Sequence, residues 1–444
     1  MFTRDIRVHD NPALIAACAN AEAVVPLFVL DDSIIDAASP NRLGFLVDSL
    51  RDLDQSLRRC GVPLVVRRGR WVDEIMAVAS QTAADSIHIA DDVSSYAKLR
   101  LERLRRVAER GRVAVEIHPG VTVVPPGWLR PRSGGARYEL FSPYHRSWVD
   151  ASWRPILPAP RGVGVLESVP LPGFEVLDSV ECGGRSRQVI GGGETAARRR
   201  LDEFVTDQLE RYDDRRNVLA ADATSRISAF LHFGCLSPVE AATRVRALPN
   251  GDSFLRQLCW RDFFHQVLAA RPESASSDYR DRGHLWSVDE YGYEAWCTGR
   301  TGFPVIDAAM RQLVDEGFMH NRARMVVASF LSKDLYIDWR LGAAHFMSLL
   351  VDADVANNQL NWQWVAGTGT DTNPNRVFNP VLQGRRFDPA GDYIRQYLPE
   401  LAELDDSAIH WPDVETRRRI GYPLPIIDHR EAMRSYRSQV QAGR

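Results

Sequence analysis

The chain has 444 residues, 45% of them apolar and 25% charged, a globular balance that excludes a disordered or fibrous protein and is long enough for two domains. No apolar run approaches the ~18 residues of a membrane-spanning helix, and the start lacks the charged, apolar and small-residue series of a secretion signal. The net charge of −3 does not decide for or against nucleic acid, because binding depends on a local patch rather than on the sum.

The six cysteines (Cys18, Cys60, Cys182, Cys235, Cys259 and Cys297) lie far apart, with no CxxC and no Cys/His cluster in the sequence. That spacing predicts reduced thiols, a cytoplasmic location and no structural metal. Lys98 and Lys333 are the only lysines. The arginine bias fits GC-rich codon usage as well as bidentate phosphate contacts, and by itself it separates neither.

The opening "MFTRDIRVHDNPAL" enters a polar loop and a helix almost at once, so the first strand is expected to be very short or truncated. Between residues 23 and 120, the runs "AVVPLFVLDD", "PLVVRRG", "SIHIADD" and "AVEIHPG" read as buried strands. Helical patterns separate them, best seen in residues 42–60, where Leu43, Leu46, Leu50, Leu53 and Leu57 recur at three- and four-residue spacing. Strand and helix in alternation predict a doubly wound parallel sheet covered by helices, with ligands beyond the C-terminal strand ends.

Residues 124–195 are dense in proline and glycine and predict a long connector without regular helix. "GGGE" at 191–194 follows that connector rather than a strand, which argues against a Rossmann phosphate loop and a nicotinamide enzyme. From 196 the helical period returns, as in "GFPVIDAAMRQLVDEGF", where Pro304 suits a first turn. The expected division is therefore 1–123 α/β, 124–195 linker and 196–444 nearly all helix.

"NNQLNWQW" at 357–364 sets two indoles two positions apart among uncharged amides. On a helix these positions point about 200° apart, so one indole is expected inward and the other toward a cleft. Asn357, Asn358 and Asn361 add donors and acceptors that need partners if buried. A polar ring-shaped ligand would satisfy both kinds of group, as would a packed tryptophan pair near a helix end.

The segments 352–371, 317–340, 301–313, 257–264 and 224–238, with the opening segment, resemble the signature segments of the photolyase/cryptochrome family over essentially the whole chain, most closely its class I cyclobutane-dimer enzymes. The resemblance implies an antenna-side α/β domain, a linker, and a helical domain that holds FAD and binds UV-damaged DNA. Reduced, anionic FAD would donate an electron under blue light to a flipped-out pyrimidine dimer; flipping is a general device of such enzymes. A second, antenna chromophore, folate or deazaflavin, is a family possibility. The expected protein is a monomer, without metal or membrane contact.

By resemblance, Tyr212, Thr224, Ser225, Arg226, Ile227, Ser228, Phe254, Gln257, Arg261, Arg324, Asp352, Ala353, Asp354 and Asn358 would contact FAD. Thr and Ser opening an apolar helix also read as a cap with exposed N–H donors suited to a diphosphate. Arg324 and Asp352 would form a pair beside the isoalloxazine. Asn358 would face its central-ring nitrogen, where an amide cannot donate a proton as an acid can. Trp362, Trp339 and Trp286 match the family's electron relay, from flavin to surface. Trp260 and Trp364 would cradle the dimer, with Gln257, Asn321, Arg322 and Met325 around it and Arg216 and Arg376 facing the DNA backbone.

Gln257 departs from the glutamate more usual in cyclobutane-dimer enzymes and resembles the 6–4 photolyases. Asn321 and Met325, where those relatives place histidines, argue the other way. Phe254 stands where a tryptophan often lies. With no long extension after the helical domain, repair is expected over a cryptochrome-type photoreceptor.

Overall fold

The computed structural model describes residues 1–132, 134–164, 174–178, 180 and 182–442. Part of the predicted connector, including 165–173, lies outside the described residues. The chain forms two compact units. The first comprises Met1–Arg185, Ile190–Glu210 and Ser225–Pro272; the second comprises Ser186–Val189, Arg211–Thr224 and Glu273–Arg444. These units are a different division from the composition boundaries, since much of the early helical sequence packs with the α/β part.

In the first unit, the four apolar runs form strands β1 (Leu27–Asp31), β2 (Val65–Gly69), β3 (Ser86–Ala90) and β4 (Ala114–His118). β1 pairs parallel with β2, Leu27 against Val65, and β3 pairs parallel with β4, Ser86 against Ala114. Between the pairs runs the start of the chain, where Phe2 N–H donates to Leu27 O at 2.8 Å and the Met1 ammonium to His88 O at 2.9 Å. Leu27, Val29, Val65, Ile87 and Ile89 bury against Trp71, Val72, Ile75, Val78 and Leu104 of the intervening helices.

The leucine pattern becomes the helix Pro40–Arg59, started by Pro40 and by Ser39, whose hydroxyl accepts from Arg42 N–H at 3.3 Å. Leu43, Leu50, Leu53 and Leu57 are buried as predicted; Leu46 is only half-buried, and Phe45 and Val47 complete the inner face. The glycine run has a packing cause. A Cβ on Gly192 would overlap the Phe45 carbonyl and Ser49 hydroxyl of that helix, and Gly193 sits at φ +112°.

The "HDN" of the opening segment is a clamp rather than a strand. Asn11 caps the helix Pro12–Asn20 through Leu14 N–H, and Asp10, at φ +53°, accepts from Leu157 N–H, Arg154 and Ser237. The expectation of a helix-free connector is corrected: Phe141–Asp150 forms a ten-residue helix. Pro143 falls in its first turn, where a missing N–H costs nothing.

The second unit is helical, around a core that includes Trp296, Ile306, Leu313, Phe330, Leu331, Trp339, Phe346 and Trp362. "TGFPVID" organises its entry. Buried Asp307 accepts from Thr301 N–H (2.7 Å), Thr301 Oγ1 (2.6 Å), Gly302 N–H (3.0 Å) and Tyr422 Oη, and Pro304 opens the helix Pro304–Glu316. Gly317, at φ +59°, ends it.

Candidate functional site

The second unit carries most of the predicted positions. The helix Asn321–Ser329 is capped by His320, whose Nδ1 accepts from Arg322 N–H at 3.1 Å. One turn in, Arg324 donates to Asp352 Oδ2 at 2.9 Å and to Met319 O at 2.8 Å. The predicted Arg324–Asp352 pair therefore exists, with the Asp352 side chain only 4% exposed. Asp352 Oδ1 is buried without a hydrogen-bond partner. A buried carboxylate oxygen of this kind fits an N–H donor from a bound ring system, because leaving it unpaired is costly.

Two residues on, Asp354 caps the helix Val355–Ala366 by accepting from Asn357 N–H (2.8 Å) and Nδ2 (2.7 Å). Ala353 is buried between the two aspartates. Asn358 commits its Nδ2 to Ala343 O at 3.0 Å and Gln359 Oε1 at 3.3 Å, so its carbonyl oxygen is the end left for a ligand. Tyr212 is buried at the start of Tyr212–Arg215, its phenol pushed up to about 12 by burial.

The two indoles of "NWQW" diverge as predicted. Trp362 is 3% exposed and lies edge-on to Phe346 (5.0 Å) and Trp296 (6.0 Å). Trp364 is half-buried, with the Arg376 guanidinium 5.5 Å above its ring. Trp339 is fully buried at the head of Trp339–Leu349 and donates Nε1–H to Asp278 Oδ1 at 2.9 Å. Gly342 of that helix lets Trp362 approach, since a Cβ there would overlap the Trp362 ring. Trp286 is half-buried, and a parallel bridge from Ser287 to Ile337 holds its segment beside the one carrying Trp339. Trp296, not singled out in the sequence, is the fully buried indole that touches Trp362.

Arginines gather on the same unit. Arg322 donates to Asn217 Oδ1 from Nε (3.2 Å) and Nη2 (2.8 Å) and lies 4.5 Å over Phe387. Burial first, then Arg386, Arg216 and Arg376, hold its pKa below the usual arginine value, so four guanidinium groups share one field. Arg386 was missed; its signal is the "GRRF" end of Pro380–Phe387. Arg216 pairs with exposed Asp213 at 3.3 Å, and its guanidinium lies 5.9 Å from the Tyr212 ring. Asn321 is exposed and Met325 half-buried beside the core. Lys333 pins the loop carrying Arg376 by donating to Pro374 O (2.9 Å) and Arg376 O.

Thr224 belongs to the second unit and Ser225, Arg226, Ile227 and Ser228 to the first. The cap expected here is corrected. Ile227, not Ser or Thr, occupies the cap position of Ser228–Phe233, with no side-chain cap bond. Arg226 sits at φ +49°, a strained value for a side-chain-bearing residue.

Elsewhere in the first unit, the helix Asp252–Ala270 carries Phe254, Gln257, Trp260 and Arg261. Phe254 packs on Phe204 at 4.7 Å. Gln257 donates weakly to Ser253 O at 3.4 Å and is half-buried. Trp260 stacks face to face on Phe141 at 3.7 Å and 2°, a partner from the unforeseen connector helix. Arg261 donates to the carbonyls of Val121 and Leu231 (3.2 Å).

Linear spacing also concealed His88, Glu116 and His118, whose ligand atoms lie within 4.8 Å of one another across β3 and β4. The sequence expectation of no metal cluster does not extend to that cross-strand group. Among the described residues, no helix is long and apolar enough to cross a membrane.

A buried arginine–aspartate pair with an unpartnered carboxylate oxygen, an amide whose donor end is already committed, and two buried indoles with a third half-buried lie on the unit that carries the arginine cluster, an arrangement suited to a polar ring-shaped ligand. Comparison with known proteins agrees. The family profile "FAD binding domain of DNA photolyase" matches residues 254–442, and the profile "DNA photolyase" matches 1–161. The chain belongs to the photolyase/cryptochrome family, and FAD is its cofactor. It is 49% identical to a deoxyribodipyrimidine photo-lyase of Streptomyces griseus, over 97% of this chain and 96% of that one. A class III photolyase from Agrobacterium tumefaciens superposes with TM-score 0.92 at 32% identity, covering 100% of this chain and 96% of the other. A cryptochrome of Synechocystis sp. PCC6803 superposes with TM-score 0.89 at 30% identity, covering 98% and 97%.

Proposed function

We propose that the protein is a light-driven lyase that splits cyclobutane pyrimidine dimers in UV-damaged DNA. When bound and reduced, FAD would supply the light-activated electron for opening the cyclobutane ring, and the residues below would hold it. The observation that carries this reading is one helix, Val355–Ala366. It directs Trp362 into the dry core and Trp364 to a half-buried position under Arg376, so one element serves both electron supply and lesion contact.

In the second unit, Arg324, Asp352, Ala353, Asp354, Asn358, Tyr212 and Thr224 are assigned to FAD. Asp352 Oδ1 accepts a ring N–H, Arg324 fixes the Asp352 carboxylate in place through its Oδ2, and Asn358 offers its carbonyl oxygen. Trp362, Trp339 and Trp286 carry an electron inward from the surface to restore the reduced cofactor. Trp364, Asn321, Arg322 and Met325 receive the lesion, and Arg216, Arg376 and Arg386 neutralise phosphate without reading sequence. In the first unit, Ser225, Arg226, Ile227, Ser228, Phe254 and Arg261 are the FAD-side assignments; Gln257 and Trp260 are assigned to the lesion.

Residues 1–123 are the antenna-side region, 124–195 the linker and 196–444 the FAD and DNA region. Any antenna, folate or deazaflavin, is identified by mass spectrometry of the extracted chromophores. The protein acts as a cytoplasmic monomer without metal, which sedimentation and metal analysis test. The deciding experiment mixes photoreduced protein with dimer-containing DNA and follows dimer loss under blue light against a dark control. Loss of 6–4 lesions but not of cyclobutane dimers would reassign the substrate, and loss of neither would overturn the repair reading.

A further inference from the structure

Trp286 does not end in solvent. His284 stacks on it at 4.6 Å and 21°, and the Tyr336 ring lies 5.1 Å away at 45°. The phenol of Tyr336 is 3.0 Å from His284 Nδ1. The Tyr336 oxygen also takes a backbone hydrogen bond from Leu285, and its own O–H is within reach of the imidazole as acceptor. Burial lowers the His284 pKa, opposed in part by Asp278, which favours the neutral ring; in the tautomer protonated at Nε2, Nδ1 accepts.

The backbone enforces this contact. Ser287 N–H donates to Tyr336 O at 2.8 Å, next to the Ser287–Ile337 bridge. Tyr336 itself is held at φ +53°, a conformation a bulky side chain adopts only when its surroundings impose it. Strain concentrated on the residue that joins an indole to a base points to a use for the arrangement.

We propose that Tyr336 and His284 form a proton-coupled oxidation pair at the outer end of the tryptophan series. The oxidised Trp286 cation radical receives one electron from Tyr336 as the phenolic proton passes to His284 Nδ1. Trp286 is restored, Tyr336 becomes a neutral phenoxyl radical and His284 an imidazolium, so the single positive charge is conserved. The hole is the one delivered through Trp362 and Trp339; on this point the proposal rests on the relay reading above. Tyr336 is only 6% exposed, so its proton needs an internal acceptor. His284 in turn lines a polar cavity of about 430 Å³ with Asp281, Arg282, Asn375 and Tyr436, through which the proton can leave.

The test uses flash-quench oxidation of the full-length protein by a ruthenium(III) tris-bipyridine oxidant generated in solution, which needs no flavin. Paramagnetic resonance of the wild type is expected to show a tyrosyl radical formed as the tryptophanyl signal decays, more slowly in D₂O. Tyr336→Phe should lose the tyrosyl signal and lengthen the tryptophanyl lifetime about tenfold or more. His284→Phe, which preserves the stack, should lower the tyrosyl yield, with recovery on adding free imidazole. An unchanged tyrosyl signal in Tyr336→Phe, or a yield in His284→Phe equal to wild type, overturns the pair. If flash-quench gives the Tyr336 radical but light on the FAD-loaded protein gives no oxidised tryptophan, the relay assignment fails while the pair stands.

Discussion

The second unit holds two regions built on opposite rules. Around Trp339, Trp362, Trp296 and Phe346 the rings are buried and packed into one core, with the Asp278–Arg340 ion pair at Trp339. Around Arg322, Arg216, Arg376 and Arg386 the groups are cationic and partly wet, and burial, then the other three guanidinium groups, hold the Arg322 pKa down. The aromatic side needs fixed distances and a dry medium for electrons. The arginine side gathers positive charge suited to a polyanion, and a local patch of this kind lets a chain of net charge −3 bind DNA.

The sharpest way to separate the regions is Trp339→Phe, with the largest expected effect. It should abolish photoreduction, yet leave repair by chemically reduced protein nearly intact, both followed by absorbance under blue light. Trp296→Phe is the control, because Trp296 touches Trp362 but lies outside the relay assignment. Equal loss of photoreduction in both variants would mean that contact with Trp362, not the assigned order, sets the path.

Next comes Gly342→Ala, which drives a methyl group into Trp362 and Leu331. Overpacking of this kind costs about 1–3 kcal/mol, read as a lower denaturation midpoint, while DNA affinity of the folded protein stays the same. Arg386→Gln acts on the other region alone. It should weaken binding to damaged and undamaged DNA alike and reduce the slope of log affinity against log salt by about 0.9, the share of one phosphate. A change confined to damaged DNA would place Arg386 at the lesion instead.

What was legible in the sequence follows the same divide. Elements with a period were read directly: the four strands and the helix Pro40–Arg59 fell where β-branched runs and leucine spacing put them. The divergence of Trp362 and Trp364 followed from helix geometry alone. Missed features depend on contacts between distant segments. Phe141 stacks on Trp260 from a stretch whose prolines argued against helix, yet Pro143 occupies a first-turn position that tolerates it. His88 and His118 meet because two parallel strands share a face, which no spacing along one strand reveals. Ile227 took the cap position because a cap depends on backbone geometry as well as on a nearby hydroxyl.

Lys333 supports the arginine side, since its ammonium holds the Arg376 loop, and it lies 5.8 Å over Tyr436. Burial, only partly offset by Asp371 and Asp334, lowers its pKa from 10.5 to about 7. Between those values the unfolded chain binds more protons than the folded one, so stability should rise as pH increases from about 7 toward 10. The ceiling is about 1.4 kcal/mol per pH unit, and the two carbonyls that solvate the ammonium should keep the slope well below it. Denaturation midpoints at several pH values should show this rise in the wild type and a flatter profile in Lys333→Met. Parallel profiles in the two proteins would mean that Lys333 stays charged throughout, and that the loop bearing Arg376 is held by an ordinary ammonium.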